Sequence, residues 1–286
     1  MTEILRYAAF TTDPSGGNPA GVVLDASELS EEEMQRIATE VGYSETAFVT
    51  GEPEFRTFTL RYFSPEAEVP FCGHATIATA VALAERRGAG HFTARIRPGT
   101  LELTTEQTAQ GIEAGMESVP TSTRPVDEEE LTRLLETLRW SREDLDPTLP
   151  PHVAYAGNHH PVVAAATRER LADLDYDVDG LKGLMLEQDW TTVQLVWRED
   201  PTTFHARDPF PVGGVVEDPA TGAAAAALGG YLRELGEVLD ETTIAIHQGA
   251  DMGRPSLIHV RVDPGNPRVR VSGTAVPIEA EGDGGA

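Results

Sequence analysis

Apolar residues recur along the chain at two periods, and short segments of each kind follow one another. Leu5, Tyr7 and Ala9 alternate with polar or smaller neighbours, the period of a half-buried strand. Gly16-Gly17-Asn18-Pro19 is a turn cluster, and Val22 to Leu24 predicts a second strand. Ser30 followed by Glu33 has the spacing of a capping box. Behind it Met34, Ile37, Ala38 and Val41 recur on one helical face, and Gly42 supplies the stop. Thr46 to Thr50 and Phe55 to Phe63 read as strands. His74 to Arg87 reads as a helix of small residues closed by Gly88, with strands after it near His91 to Arg97, Thr100 to Thr105 and Gly111 to Met116.

Between Glu117 and Asp127 the periodicity stops. Pro120, Thr121, Ser122, Thr123 and Pro125 make a polar, Pro-bearing stretch, the expected domain boundary. The mixture then repeats. Helices are predicted at Asp127 to Trp140, Thr167 to Asp173 and Leu181 to Glu187, and an Ala-rich helix at about Ala220 to Leu235. Strands are predicted at Thr191 to Trp197, Thr243 to Ile246, Leu257 to Val262 and Arg268 to Val271. The two halves share an echo: FCGHATIATAVAL (71–83) and EDPATGAAAAALGGYL (217–232) are each a Gly-bearing loop that opens a helix of small residues. In each, an ionisable side chain, Cys72 or Asp218, precedes the turn. Small residues in the first turns suit a helix confined in the middle of a barrel.

Composition narrows the function classes. Of 286 residues, 22 are basic and 47 acidic, a net charge of −25 at pH 7. Phosphate backbones and anionic membrane surfaces would be repelled, which argues against both as partners. An anionic small molecule would need local donors such as helix N-termini, because the global field opposes it. No run approaches the roughly 18 apolar residues of a membrane span. Met1 to Phe10 carries Glu3 and Arg6 and lacks the apolar centre of a secretory signal, so the cytoplasm is the expected compartment. The single cysteine, Cys72, excludes an internal disulfide and any CxxC site.

Candidate chemistry is sparse, and most of it has an ordinary alternative. Every helix has an N-terminus, yet two uncharged ones, each with Gly and a titratable neighbour, suggest an anion-binding cleft between domains. Glu45 stands where the chain enters the hydrophobic run Thr46 to Thr50, a setting suited to proton transfer. It is one of 47 acids, so a solvated loop Glu is the competing reading. Gly42-x-Ser44-x-Thr46 is not a nucleophile elbow. Cys72 and His74 are two residues apart, where side chains need not face each other, and a buried inert thiol is the simpler reading. His74 at a helix start could donate to an acidic ligand or shuttle a proton. His152, His159, His160, His205, His247 and His259 invite a metal reading, but no HExxH or paired Cys/His spacing supports one. Asp175 to Gly180 opens like a calcium loop, but its twelfth position is Leu186 rather than Glu, so it reads as an acidic turn. There is no GxGxxG and no P-loop.

Five segments, GGNPAGVVLDA (16–26), SETAFV (44–49), FCGHATIATA (71–80), EDPATGAAAA (217–226) and HQGADMGRPS (247–256), together resemble the PhzF-like isomerases in order and approximate spacing. The resemblance spans about residues 4 to 278. It implies an α+β fold like that of diaminopimelate epimerase: two similar domains, each a mostly antiparallel barrel-like sheet around a central helix, with the site in the cleft between them. The domains implied are 1–118, completed by a strand at about 268–280, and 119–267; the acidic, Gly-rich composition of the chain end separately predicts a disordered tail at 281–286. The resemblance also implies a homodimer that needs no metal and no organic cofactor. The implied reaction is that of the trans-2,3-dihydro-3-hydroxyanthranilate isomerase, in which a hydrogen moves between ring carbons and the enol becomes a ketone. Carried over by motif, Glu45 is the acid/base, and His74 and Asp218 orient the substrate and assist proton traffic. Gly73 and Gly222, with Ala223, would offer backbone N–H groups to a carboxylate, and Asn18 lies in the GNP turn at the cleft rim. One position departs from the pattern. The family motif commonly reads D-P-x-T-G-S-A, and Ala223 stands at its Ser, which removes a hydroxyl worth roughly 1 kcal/mol or more to a bound substrate. The related epimerases oppose two cysteines; here Cys72 is matched by Asp218. The expected function is therefore a cofactor-independent isomerase of a small carboxylate. The alternative is a non-catalytic small-carboxylate binding protein on the same scaffold.

Overall fold

The computed structural model describes residues 2–279. The expected tail at 281–286 lies outside the described residues. The chain divides into two compact units, Met1–Glu117 with Ser272–Ala286, and Ser118–Val271.

In the first unit the strands are β1 (Leu5–Ala9), β2 (Asn18–Val23), β3 (Glu45–Glu54), β4 (Thr57–Phe63), β5 (Glu68–Val69), β6 (Gly90–Ile96), β7 (Gly99–Thr108) and β8 (Gly111–Glu117). Its helices are α1 (Glu31–Val41) and α2 (Gly73–Arg87). The second unit contains β9 (Ser122–Pro125), α3 (Glu128–Leu138), β10 (His152–Tyr155), β11 (His159–Ala164), α4 (Arg168–Ala172), α5 (Val178–Gln188) and β12 (Gln194–Asp200). It continues with β13 (Thr203–Pro209), β14 (Glu217–Asp218), α6 (Gly222–Glu234), β15 (Thr242–Gln248) and β16 (Ser256–Val262). A last strand, β17 (Val269–Pro277), begins in the second unit and ends in the first.

In the first unit β17, β1, β2, β3, β4, β6, β7 and β8 follow one another edge to edge, and β8 pairs with β17, so the sheet closes into a barrel without a free edge. Most pairs are antiparallel; β2–β3 and β4–β6 are parallel. The helix α2 fills the barrel, and its residues from His74 to Ala84 are all buried. The second unit repeats this succession. The pairs β9–β10 and β10–β11 are antiparallel, β11–β12 is parallel, β12–β13 is antiparallel, β13–β15 is parallel and β15–β16 is antiparallel. A short spur precedes the central helix in both units: β5 on β4, and β14 on β13. The echo between FCGHATIATA and EDPATGAAAA is thus one topology built twice, an α+β fold of two similar domains.

Local chemistry explains much of this. Ser30 and Glu33 close a capping box on α1, and Gly42, at φ 72°, ends it in the left-handed region that favours glycine. The face Met34, Ile37 and Ala38 packs on Val23, Phe48 and Phe63 outside the first barrel. Each large apolar side chain buried there contributes about 1.5–3 kcal/mol. In α6, small residues are a steric requirement. A Cβ on Gly229 would lie 2.7 Å from Val260 Cγ1, and one on Gly230 would lie 2.4 Å from Thr121 Oγ1.

Several sequence expectations are corrected. Asn18 opens β2 opposite Ala9 and is buried, so the turn cluster ends at Gly17. Phe55 and Arg56 are not strand residues: they turn the chain between β3 and β4, with Arg56 at φ 58°. The polar stretch after Glu117 contains β9, because Ser122 to Pro125 pair with β10. Strands β10, β11 and β13 were not expected at all. The acidic turn at Asp175 to Gly180 ends early: Asp177 caps α5 by accepting from Gly180 N–H, so the helix starts at Val178 rather than Leu181.

Candidate active site

The first cluster forms at the start of α2. The ladder with β2 places Glu45 as the first residue of β3, opposite Ala20. Cys72 is the N-cap of α2 and His74 lies in its first turn. The Thr76 hydroxyl donates to the Cys72 carbonyl at 2.6 Å and is itself 2.7 Å from the buried Tyr62 hydroxyl, which fixes this helix start from inside the barrel.

The three side chains meet. Cys72 Sγ is 3.4 Å from Glu45 Oε2, and His74 Nε2 is 3.4 Å from the same oxygen. Cys72 Sγ lies 3.4 Å from His74 Nδ1 and 3.7 Å from Nε2. Ser44 Oγ is 3.3 Å from His74 Nε2. Cys72 and His74 are buried, while the Glu45 side chain keeps 20% of its surface exposed. Cys72 is buried, as expected, and across this turn its side chain does lie against His74. The helix start turns both side chains onto Glu45. Chemically the cluster is a half-buried carboxylate held by two groups able to give or take a proton.

The second cluster forms at the start of α6. Asp218 belongs to β14, and cross-strand pairing sets it opposite Asp208. The buried Arg207 and Glu217 join in a two-pronged ion pair that pins the same spur. Thr221 Oγ1 donates to Asp218 Oδ2 at 2.6 Å. Gln248 closes the loop: its Nε2 donates to the Asp218 carbonyl at 2.8 Å, and its Oε1 accepts from Thr221 N–H at 3.1 Å. Gly222 and Ala223 are the first two residues of α6, following its N-cap Thr221. The N-cap that corresponds to Cys72 is thus Thr221, not Asp218, which lies further upstream in the spur.

Behind Asp218 runs a buried polar chain. Thr192 Oγ1 donates to Asp208 Oδ1 at 3.2 Å and is 2.9 Å from His160 Nδ1. Burial, then the neighbouring Asp218 carboxylate, pushes the Asp208 carboxyl well above the usual carboxylate range. Complete burial lowers His160 to about 3, so its ring is neutral. Sequence reasoning missed Asp208, Thr221 and Gln248. The one available signal was Thr221, which precedes Gly222 as Cys72 precedes Gly73.

The remaining histidines do not make a metal centre. His205 and His247 stack with ring centroids 5.2 Å apart, His205 Nε2 is 2.7 Å from Glu199 Oε2, and His152 Nδ1 is 3.0 Å from Thr123 Oγ1. Among the described residues, the group of three donors close enough to share an ion is Glu45, Cys72 and His74.

Fold and site define the class: two repeated units, each a mostly antiparallel, barrel-like sheet around a buried helix, with a carboxylate–thiol–imidazole cluster at the first central helix start. A model of the PhzC-PhzF family, described as phenazine biosynthesis-like protein, matches residues 7–281, and the chain belongs to this family. It is 33% identical over 275 residues to the trans-2,3-dihydro-3-hydroxyanthranilate isomerase of Pseudomonas chlororaphis, covering 94% of each chain. It is 35% identical over 302 residues to an "uncharacterized isomerase" of Deinococcus radiodurans, covering 99% of this chain and 94% of that one. The crystal structure of the Bacillus anthracis phenazine biosynthesis protein of the PhzF family superposes with a TM-score of 0.86 at 27% identity, covering 97% of this chain and 98% of that one. At the general level these relatives support, the protein is an isomerase. No helix among the described residues is long and apolar enough to cross a membrane.

Proposed function

We propose that the protein moves a proton between carbons of a small carboxylate without a cofactor, in the manner implied by the name of its Pseudomonas relative. The observation that carries this reading is the half-buried Glu45 carboxylate, with the Cys72 thiol and the His74 imidazole each 3.4 Å from Oε2. Glu45 takes the proton from one carbon of the substrate and returns it to another. The product enol then becomes the ketone. One carboxylate on one face can do both if water is kept out, and burial of its two neighbours serves that end. His74 holds Glu45 in place and donates to the substrate.

Asp218, oriented by Thr221 and Gln248, binds a polar group of the substrate. The backbone N–H groups of Gly73 and Gly222, at the starts of α2 and α6, are offered to the carboxylate, where the helix dipoles favour an anion. Ala223 brings only a methyl group to the first turn of α6, so this chain is expected to favour a substrate that needs one hydroxyl contact fewer than trans-2,3-dihydro-3-hydroxyanthranilate.

The test is incubation in deuterated water with that compound and with other cyclohexadiene and amino-acid carboxylates, followed by mass spectrometry. Isomerised product, with deuterium at the carbon that receives the proton, supports the reading. Carboxylates that bind without any product or isotope uptake would make the protein a binding protein instead.

A further inference from the structure

The same three side chains gather a thiol, an imidazole and a carboxylate whose ligand atoms all lie within 4.8 Å of one another. Cys72 Sγ, His74 Nε2 and Glu45 Oε2 form a triangle with edges of 3.4 Å (sulfur–oxygen), 3.4 Å (nitrogen–oxygen) and 3.7 Å (sulfur–nitrogen). In a tetrahedral zinc site, with metal–sulfur bonds of about 2.3 Å and metal–nitrogen or metal–oxygen bonds of about 2.0–2.1 Å, the edges to sulfur are roughly 3.5 Å and the nitrogen–oxygen edge roughly 3.4 Å. A point about 2.2 Å from all three atoms lies roughly 0.9 Å off their plane, but it falls beside the imidazole, because Sγ is 3.4 Å from Nδ1 as well as 3.7 Å from Nε2. Binding therefore requires the His74 ring to turn until a ring nitrogen points at the ion, while Cys72 Sγ and Glu45 Oε2 already stand 3.4 Å apart.

The donor set is also apt. Thiolate with imidazole selects zinc over magnesium or calcium, and three protein ligands leave a fourth position open. The net charge of −25 raises the local concentration of divalent cations. Binding transfers the thiol proton to water: the S–H bond breaks, a sulfur–metal bond forms, and the thiolate and the Glu45 carboxylate together neutralise the ion. The exposed fifth of the Glu45 side chain gives a way in. Ser44, itself exposed, releases His74 Nε2 at little cost.

We propose that Glu45, Cys72 and His74 bind a thiophilic divalent cation, zinc above all, and that the bound ion shuts down proton transfer by occupying these groups. Binding stands independently of the proposed reaction; only the inhibition rests on it.

The probe is cobalt(II), titrated into the reduced, metal-free full-length protein. One equivalent should produce a near-ultraviolet sulfur-to-cobalt charge-transfer band and the strong visible bands of a tetrahedral site, and zinc should discharge both. Cys72→Ser should abolish the charge-transfer band. Glu45→Gln and His74→Gln, checked for folding by circular dichroism, should each weaken cobalt binding by at least about tenfold, the lower end of what even an outer-sphere partner contributes. His205→Ala and His259→Ala should change nothing. Zinc should abolish isotope uptake and a chelator should restore it. The proposal is overturned if no charge-transfer band forms, if Cys72→Ser binds as tightly as the parent, or if Glu45→Gln and His74→Gln both leave affinity unchanged. A protein that binds cobalt as described but turns over no carboxylate overturns the proposed reaction and leaves the metal site intact.

Discussion

Replacing Gly230 by Ala tests whether α6 really fills a barrel. In an exposed helix the change is favourable by about 1 kcal/mol, because Gly is the costlier residue to order. Inside the second unit the new Cβ would lie 2.4 Å from Thr121 Oγ1 and 2.5 Å from Thr121 Cβ. Thr121 cannot swing aside freely. Its hydroxyl donates to the Pro267 carbonyl at 3.1 Å and accepts from Arg233 Nη2 at 3.0 Å. Overpacking costs about 1–3 kcal/mol, and one lost hydrogen bond adds about 1 kcal/mol. Against the propensity gain, the net is a destabilisation of about 1–3 kcal/mol. Gly183→Ala is the matched control: it lies in α5, is exposed, and an added Cβ meets nothing within 4 Å, so it should stabilise by roughly 0.5–1 kcal/mol. The assay is urea unfolding followed by tryptophan fluorescence. Trp140, Trp190 and Trp197 all lie in the second unit, so the signal reports on that unit alone. If Gly230→Ala raises the midpoint as Gly183→Ala does, the close packing of α6 described above is wrong.

Three other outcomes follow from particular groups. His160 is lowered to about 3 in the folded chain, so the unfolded chain binds a proton below pH 6.5 that the folded one does not. Stability should therefore fall as pH drops from 6.5 to 5, approaching about 1.4 kcal/mol per pH unit for this one group, and His160→Gln should flatten that limb of a denaturation series. For Asp208 the sign is the reverse. Its raised carboxyl stabilises the fold below the unfolded carboxylate range and loses that contribution as pH rises, so Asp208→Asn should make the same unit less sensitive to pH above 5. Removing one partner of the buried Arg207–Glu217 pair, as in Glu217→Gln, should destabilise the second unit by about 3–5 kcal/mol, read by the same fluorescence.

The sequence was most legible where structure is local. Ser30, Glu33 and Gly42 delimit α1 through contacts within a few residues, and the small residues of α2 and α6 announce confinement. Strands β10, β11 and β13 were opaque for the opposite reason. His160 in β11 is wholly buried with Thr192 Oγ1 against its Nδ1, and β13 carries Arg207 and Asp208 into the core, where Glu217 and Thr192 meet them. Such strands look polar until their long-range partners are known. At the site, Glu45, His74 and Asp218 came from motif resemblance rather than periodicity. Cys72 was undervalued because spacing of two residues says nothing about facing when one residue is an N-cap and the other lies in the first turn. Asp208 was invisible, since only the register of β13 with β14 sets it opposite Asp218.

The central claim is that Glu45 carries the proton, and Glu45→Gln tests it most directly. The amide preserves size and hydrogen bonding while removing the basic function. Turnover and substrate affinity should be measured together, on whichever carboxylate shows isotope uptake with the parent protein. Affinity within a few-fold of the parent, with turnover lowered by at least about 10²-fold, the lower end of general acid–base contributions, is the predicted result. Near-normal turnover by the Glu45→Gln protein would contradict the account and move the chemistry to Cys72 or His74.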